Sequence, residues 1–270
     1  MFHGIKNSYL YSAKKIIARW KKGDETINNQ GTGFFIATAS NQPFFVTNRH
    51  VIEPGYSDPQ YRGFILEELA IESNESIDQN EQQLEFKSVS IKKASIGYDE
   101  NQYNDVACLT NLSLSEDLTI RKSIGYNLLA DKEWINTKLT VCDSIAYPGF
   151  PEWFDHQKNI PIFRMGTIAS DPRTDYCYQN SEPIAARIAY EGFSSGGSSG
   201  SPVFATQKGF PIGEGLQAQK DFFREMKLIG INAGHYHSDK GHSGISYFYK
   251  SSVIKSIIDR MMKENSLVQQ

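Results

Sequence analysis

Ten β-rich runs of four to eight residues follow one another along the chain, and only the last one gives way to a helical pattern. They are residues 33–38, 43–47, 84–91, 105–109, 139–146, 162–168, 185–190, 202–205, 228–232 and 244–249. Parallel pairing would need crossover connections of a dozen or more residues, usually helices, between successive strands. Short runs separated by turn residues point instead to an antiparallel all-β sandwich or to barrels. Ser40-Asn41-Gln42 between the first two runs is turn chemistry and predicts a hairpin. The segment Lys14–Trp20 fits a strand or a short helix equally. From Lys250 to Lys263, Val253, Ile254, Ile257, Ile258, Met261 and Met262 recur at helical spacing, predicting an amphipathic terminal helix packed on the last strands.

With 270 residues the chain can hold one large all-β domain or two smaller ones. The join is expected near 121–138, giving an N-terminal unit over 1–125 and a C-terminal unit over 126–270. The net charge of −3 offers no global basic field for nucleic acid. No apolar run approaches the roughly 18 residues that cross a bilayer, so no membrane partner is expected. Lys6, Lys14, Lys15, Arg19, Lys21 and Lys22 interrupt the start of the chain where a secretory signal would be apolar. Cys108, Cys142 and Cys177 are odd in number and widely spaced, which predicts buried free thiols and a cytoplasmic location. Between Glu53 and Glu85 nine acids, among them Glu67, Glu68, Glu72, Asp78 and Glu81, face a single Arg62. Such a block predicts a solvated surface insertion.

Three short segments carry chemistry. In Gly196-Gly197-Ser198-Ser199-Gly200-Ser201-Pro202-Val203, glycines flank a serine pair and let successive N–H groups turn toward one point. Paired donors of that kind hold a developing oxyanion in acyl transfer. Val46-Thr47-Asn48-Arg49-His50-Val51 ends an apolar run on a histidine, and Asn104-Asp105-Val106 opens one on an aspartate. Taken singly, each is more ordinary than functional. Together they supply what a serine nucleophile needs: a base near neutral pKa, and a carboxylate to set its tautomer.

In the order His50, Asp105, Ser199, the blocks TNRHV, NDVACL and GGSSGSPVF resemble the three catalytic blocks of chymotrypsin-like serine peptidases. The likeness is greatest to the bacterial branch that contains glutamyl endopeptidases and HtrA proteases. The resemblance implies two packed antiparallel six-stranded β-barrels with a C-terminal α-helix, the first carrying His50 and Asp105 and the second Ser199. It implies a serine endopeptidase acting on a protein or peptide, with the N–H groups of Gly197 and Ser199 as oxyanion hole and neither cofactor nor metal. Phe193, Ser194, Asn232, Ala233 and Gly234 match the primary specificity pocket. No carboxylate stands at its floor, so small uncharged or acidic side chains are expected there rather than Lys or Arg. The glutamyl endopeptidases have a histidine where Asn232 stands; His235, His237 or His242 could substitute if folded inward. The same histidines with Asp239 suggest a metal, but their spacing fits an exposed loop better. Ser198 replaces the aspartate that captures a new N-terminus in secreted members, so a chain active as made, or one controlled by an activating partner, is expected. A catalytically silent binding module is the remaining alternative.

Overall fold

The computed structural model describes residues 5–76, 84–115, 122–180, 182–209, 223–238 and 241–268. Its first half holds β1 (Ala13–Lys22), β2 (Glu25–Ala37), β3 (Pro43–Thr47), the single helical turn α1 (Arg49–Ile52), β4 (Ile65–Ser76), β5 (Leu84–Tyr98) and β6 (Ala107–Leu114). These strands run in the order β1-β4-β5-β6-β3-β2, all antiparallel, and β2 pairs back onto β1 to close a six-stranded barrel. The two-residue β7 (Ile124–Gly125) lies parallel to β2 outside this ring. After α2 (Lys132–Lys138), β8 (Ser144–Gly149), β9 (Ile162–Ile168), β10 (Arg187–Glu191), β11 (Pro202–Ala205), β12 (Lys227–Ser238) and β13 (Gly241–Lys250) form the second. Its closed order is β10-β13-β12-β11-β8-β9. The helix α3 (Ser251–Val268) follows.

Alternation along the strands accounts for three apolar clusters. Phe35 and Phe45 point into the first barrel with Ile16, Leu69, Ile71 and Leu109. Their neighbours Phe34, Ile36, Phe44 and Val46 point the other way and meet Phe204, Ile231 and Tyr249 of the second barrel. A strand buried on both faces reads as an unbroken apolar run, which is why residues 34–36 and 44–46 show no polar alternation. Tyr147, Ile188, Tyr190, Val203, Ile229 and Phe248 fill the second barrel. The expected terminal helix places Val253, Ile254, Ile257, Ile258 and Met261 in the inter-barrel cluster.

Four expectations need correction. The acidic block is not simply an insertion, because β4 occupies much of it. Leu69, Ile71 and Ser73 are buried. The intervening acids pair with cations of β1: Lys15 with Glu72 at 3.0 Å, and Arg19 with Glu67 and Glu68 at 2.9 Å each. Asp78 and Glu81 lie outside the described residues. The run 139–146 is strand only from Ser144 onward. Ahead of it Cys142 takes a positive φ of 64°, and buried Asp143 ties the turn by accepting from Thr140 N–H at 2.7 Å while pairing with Arg224. Cys108 is buried, but Cys142 and Cys177 are exposed, and all three thiols are free. The helix α2 was not expected; Asp131 starts it by accepting from Trp134 N–H at 2.7 Å, a side-chain N-cap. No helix among the described residues is long and apolar enough to cross a membrane.

Ile254 is fully buried in the cluster between the barrels. Ile254→Ala is expected to cost about 2–5 kcal/mol in urea unfolding; a loss under about 1 kcal/mol would show that α3 does not seal this core.

Candidate active site

The histidine expected to act as base follows the end of β3. Thr47 Oγ1 donates to Thr32 O at 2.9 Å, and the fully buried Asn48 donates its amide to Asp105 O at 2.7 Å. The chain then makes the turn α1, so His50 stands on a helical turn after the strand and not at its end. Asp105 precedes β6 and grips this residue twice. Its Oδ1 accepts from His50 N–H at 2.9 Å, and its Oδ2 lies 2.5 Å from His50 Nδ1. With Nδ1–H directed at the carboxylate, Nε2 of the neutral ring is the acceptor. Burial disfavours the imidazolium, but the Asp105 charge and hydrogen bond outweigh it, so His50 titrates above its ordinary value. One fifth of its side chain stays exposed, so the ring is reachable from outside.

The loop 192–201 is held by both barrels. Thr32 of β2 donates its N–H to Ser199 O at 2.8 Å and its hydroxyl to Gly197 O at 2.7 Å. From β12, Asn232 O accepts from Gly200 N–H at 2.8 Å. Gly197 and Gly200 take positive φ values of 84° and 90°. A Cβ at Gly200 would lie 1.8 Å from Thr32 O, and one at Gly197 2.2 Å from Phe150 O, so only glycine fits either place. The N–H groups of Ser198 and Ser201 are taken by Ser195 O and Ser198 O. Those of Gly197 and Ser199 donate to no other group among the described residues.

Ser199 Oγ donates to Ala233 O at 3.0 Å, and no hydrogen bond joins it to His50 among the described residues. The structure therefore couples His50 to Asp105 directly, while Ser199 is tied to the same barrel seam through Thr32. Ser198 and Ser201 are buried, with hydroxyls that have no partner among the described residues.

Of the residues expected to line a pocket, Asn232 is a post within the wall. It is fully buried, donates to Ser194 Oγ at 2.9 Å and Ser198 O at 3.0 Å, and accepts from Tyr190 OH at 2.7 Å. Ser194 is likewise buried, and its N–H donates to Ser246 Oγ at 3.2 Å. Ala233 is buried and Gly234 half-buried, whereas Phe193 is 61% exposed. His235, His237 and His242 do gather here. The His235 and His242 rings stack at 4.3 Å, His237 lies 4.5 Å from His235, and Phe193 lies 5.0 Å from His242. Asp239 lies outside the described residues. Among the described residues no group of three or more His, Cys, Asp or Glu could hold a metal ion. Thr32 and Asn48 sit inside blocks with a readable signal, Gly-Thr-Gly and Thr-Asn-Arg-His, yet their roles as anchors emerge only in three dimensions.

A family model described as a trypsin-like peptidase domain matches residues 31–213. No curated protein matches the sequence significantly. A variant of the HtrA-type protease AlgW, solved with a tripeptide, is similar over 95% of this chain and 62% of that one, at 13% identity and a TM-score of 0.56. The chain thus spans less than two thirds of that structure's length. AlgW with a decapeptide is similar over 93% and 65%, at 14% identity and a TM-score of 0.53. A thermostable serine protease from an extremophilic microorganism is similar over 93% and 96%, at 12% identity and a TM-score of 0.53. At these identities the likeness is one of fold.

Thr32→Val keeps the shape at β2 but removes the hydroxyl that serves Gly197 O and Phe150 N–H. Unfolding stability is expected to fall by about 1–3 kcal/mol, and an unchanged stability would show that these contacts are not held in solution.

Proposed function

The chain belongs to the trypsin-like peptidase family, and we propose that it is a serine endopeptidase working through Ser199, His50 and Asp105. The observation that carries this reading is the double grip of Asp105 on the backbone and ring of His50. Orienting an imidazole and stabilising its protonated form is the part a carboxylate plays beside a serine nucleophile. Catalytic hydrogen bonds are often absent or long before substrate binds, so the bond of Ser199 Oγ to Ala233 O is compatible with this reading.

In the reaction, Ser199 Oγ attacks the scissile carbonyl while His50 Nε2 takes its proton. The carbonyl oxygen becomes an anion between the N–H groups of Gly197 and Ser199. His50 then protonates the leaving amine, and water hydrolyses the acyl-serine by the same route in reverse. A protein or peptide is the proposed substrate, and the similar AlgW structures were solved with a tripeptide and a decapeptide. The free, exposed Cys142 and Cys177 favour a reducing compartment such as the cytoplasm.

A second reading, a peptidase released by an activating protein, draws support from the Ser199 orientation and from Ser198. That hydroxyl is buried without a partner among the described residues, where an ion pair would lock the loop in secreted members.

A fluorophosphonate probe is expected to label the wild-type protein and to leave Ser199→Ala unlabelled; label retained by the variant would move the nucleophile to Ser198 or Ser201. Asp105→Asn is expected to lower kcat by about ten-thousand-fold. Because the Asp105 charge raises the His50 pKa, loss of that charge lowers it. Activity needs the neutral ring, so the acid limb of the pH–rate profile should move to lower pH in the variant. A limb that stays in place would assign it to another group.

A further inference from the structure

A cavity of about 610 Å³ spans the seam between the two barrels. Arg49, Tyr56 and Arg62 line it from the first barrel, and Arg187 and Tyr249 from the second. Each wall lies one residue from a member of the His50–Asp105 pair. Arg49 precedes His50 in the turn α1, and its guanidinium lies on the Tyr56 and Tyr98 rings at 4.7 and 4.3 Å from their centres. Asn104 precedes Asp105, and its Oδ1 accepts from the N–H of Ala186, next to Arg187, at 2.8 Å.

The cavity contains two carboxylates, and both are engaged. Glu53 accepts from Arg49 Nε at 2.6 Å and Nη2 at 3.2 Å, and Glu182 accepts from Arg187 Nη2 at 3.0 Å. Asp105 is committed to His50 in the same way. The donors are in excess. The Arg62 side chain has neither an ion pair nor a hydrogen bond among the described residues. Arg187 is nine-tenths buried, yet its Nε has no partner there. Burial, with the Asp105 charge added to it, keeps the Tyr56 and Tyr249 hydroxyls protonated, and neither donates to a group among the described residues. Sheltered donors without acceptors are costly, and together they make a place for an acceptor that the chain does not itself provide. One cation left over matches one negative charge; a polyanion would meet Glu53 and Glu182 with no further cation to offset it. The rings of Tyr56, Tyr103 and Tyr249, with Pro183, offer apolar surface to the rest of the ligand, and the volume is that of a small-molecule site.

We propose that this cavity binds a small organic acid, a single carboxylate on a flat apolar body, through Arg62, Arg187 and the Tyr56 and Tyr249 hydroxyls, and that His50 and Asp105 sense its occupancy through Arg49 and Asn104. The site goes beyond the endopeptidase reading, and only its effect on turnover rests on that reading.

The test is a calorimetric titration of the wild-type protein with 3-phenylpropionate, and with 3-phenylpropionamide as the uncharged control. The acid is expected to bind with a Kd of about 1 mM or tighter, and the amide at least about tenfold more weakly. Arg62→Gln, an exposed position, should weaken the acid by about tenfold. Tyr249→Phe keeps the ring, removes one donor and should cost about fivefold. The proton that His50 Nδ1 shares with Asp105 gives a separate NMR signal, identified by its loss in Asp105→Asn. That signal should move as the acid saturates the wild-type protein, and stay in place when the amide is added at the same concentration. No binding, equal binding of acid and amide, or an affinity unchanged in both variants overturns the site. Saturation that leaves the His50 signal unmoved overturns its link to the base. None of these readouts requires turnover, so a protein that binds the acid but whose Ser199 takes no fluorophosphonate label would overturn the endopeptidase reading and leave the site standing.

Discussion

Thr32 is the residue on which the geometry of the site depends. It is fully buried on β2, its N–H and hydroxyl donate to the loop 192–201 at Ser199 O and Gly197 O, and its carbonyl accepts from Thr47 Oγ1. The hydroxyl also accepts from Phe150 N–H, after β8. One side chain of the first barrel therefore fixes a loop of the second, and the same residue fixes the end of β3 that carries His50. Each such bond contributes on the order of 1 kcal/mol net, but leaving any of these buried groups unmade costs more than making it gains. The arrangement is rigid for that reason. It also explains the glycine at 200, since the loop must approach Thr32 O more closely than any Cβ allows.

Beside the hydrogen bonds of Thr32, the barrels meet through an apolar cluster. Phe34, Ile36, Phe44 and Val46 face Phe204, Ile231 and Tyr249, with α3 covering the join. Large aromatic and branched side chains in such a cluster bring most of the burial that holds the halves together. A site built across that seam inherits its stiffness, so His50 and Ser199 can be set by elements distant in the chain.

Charge is distributed by the same logic. On the first barrel, acids of β4 stand opposite cations of β1, and the exposed pairs of Arg19 with Glu67 and Glu68 contribute only a few tenths to about 1 kcal/mol each. On the second barrel, the His235, His237 and His242 rings gather on the β12–β13 hairpin and form no ion pair with an acid among the described residues. Asp105 is the opposite case: its carboxylate is nearly buried and wholly committed to His50.

Local pattern sufficed for much of this. The strands at 162–168 and 202–205, the hairpin at 34–46 and the terminal helix follow from alternation, turn residues and helical spacing, all properties of near neighbours. The residue types in the three catalytic-type blocks were legible for the same reason: the chemistry of acyl transfer demands those side chains. β4 was not, because its acids conceal an alternation whose meaning comes from β1, about fifty residues earlier. Nor could spacing reveal that Asn232 spends its hydrogen bonds inside the wall, or that His235 and His242 stack from opposite strands of a hairpin. Identity and order of the reactive side chains are written in the chain; which of them meet, which are buried and which face an unbalanced charge was decided by non-local strand register, to which no local pattern is sensitive.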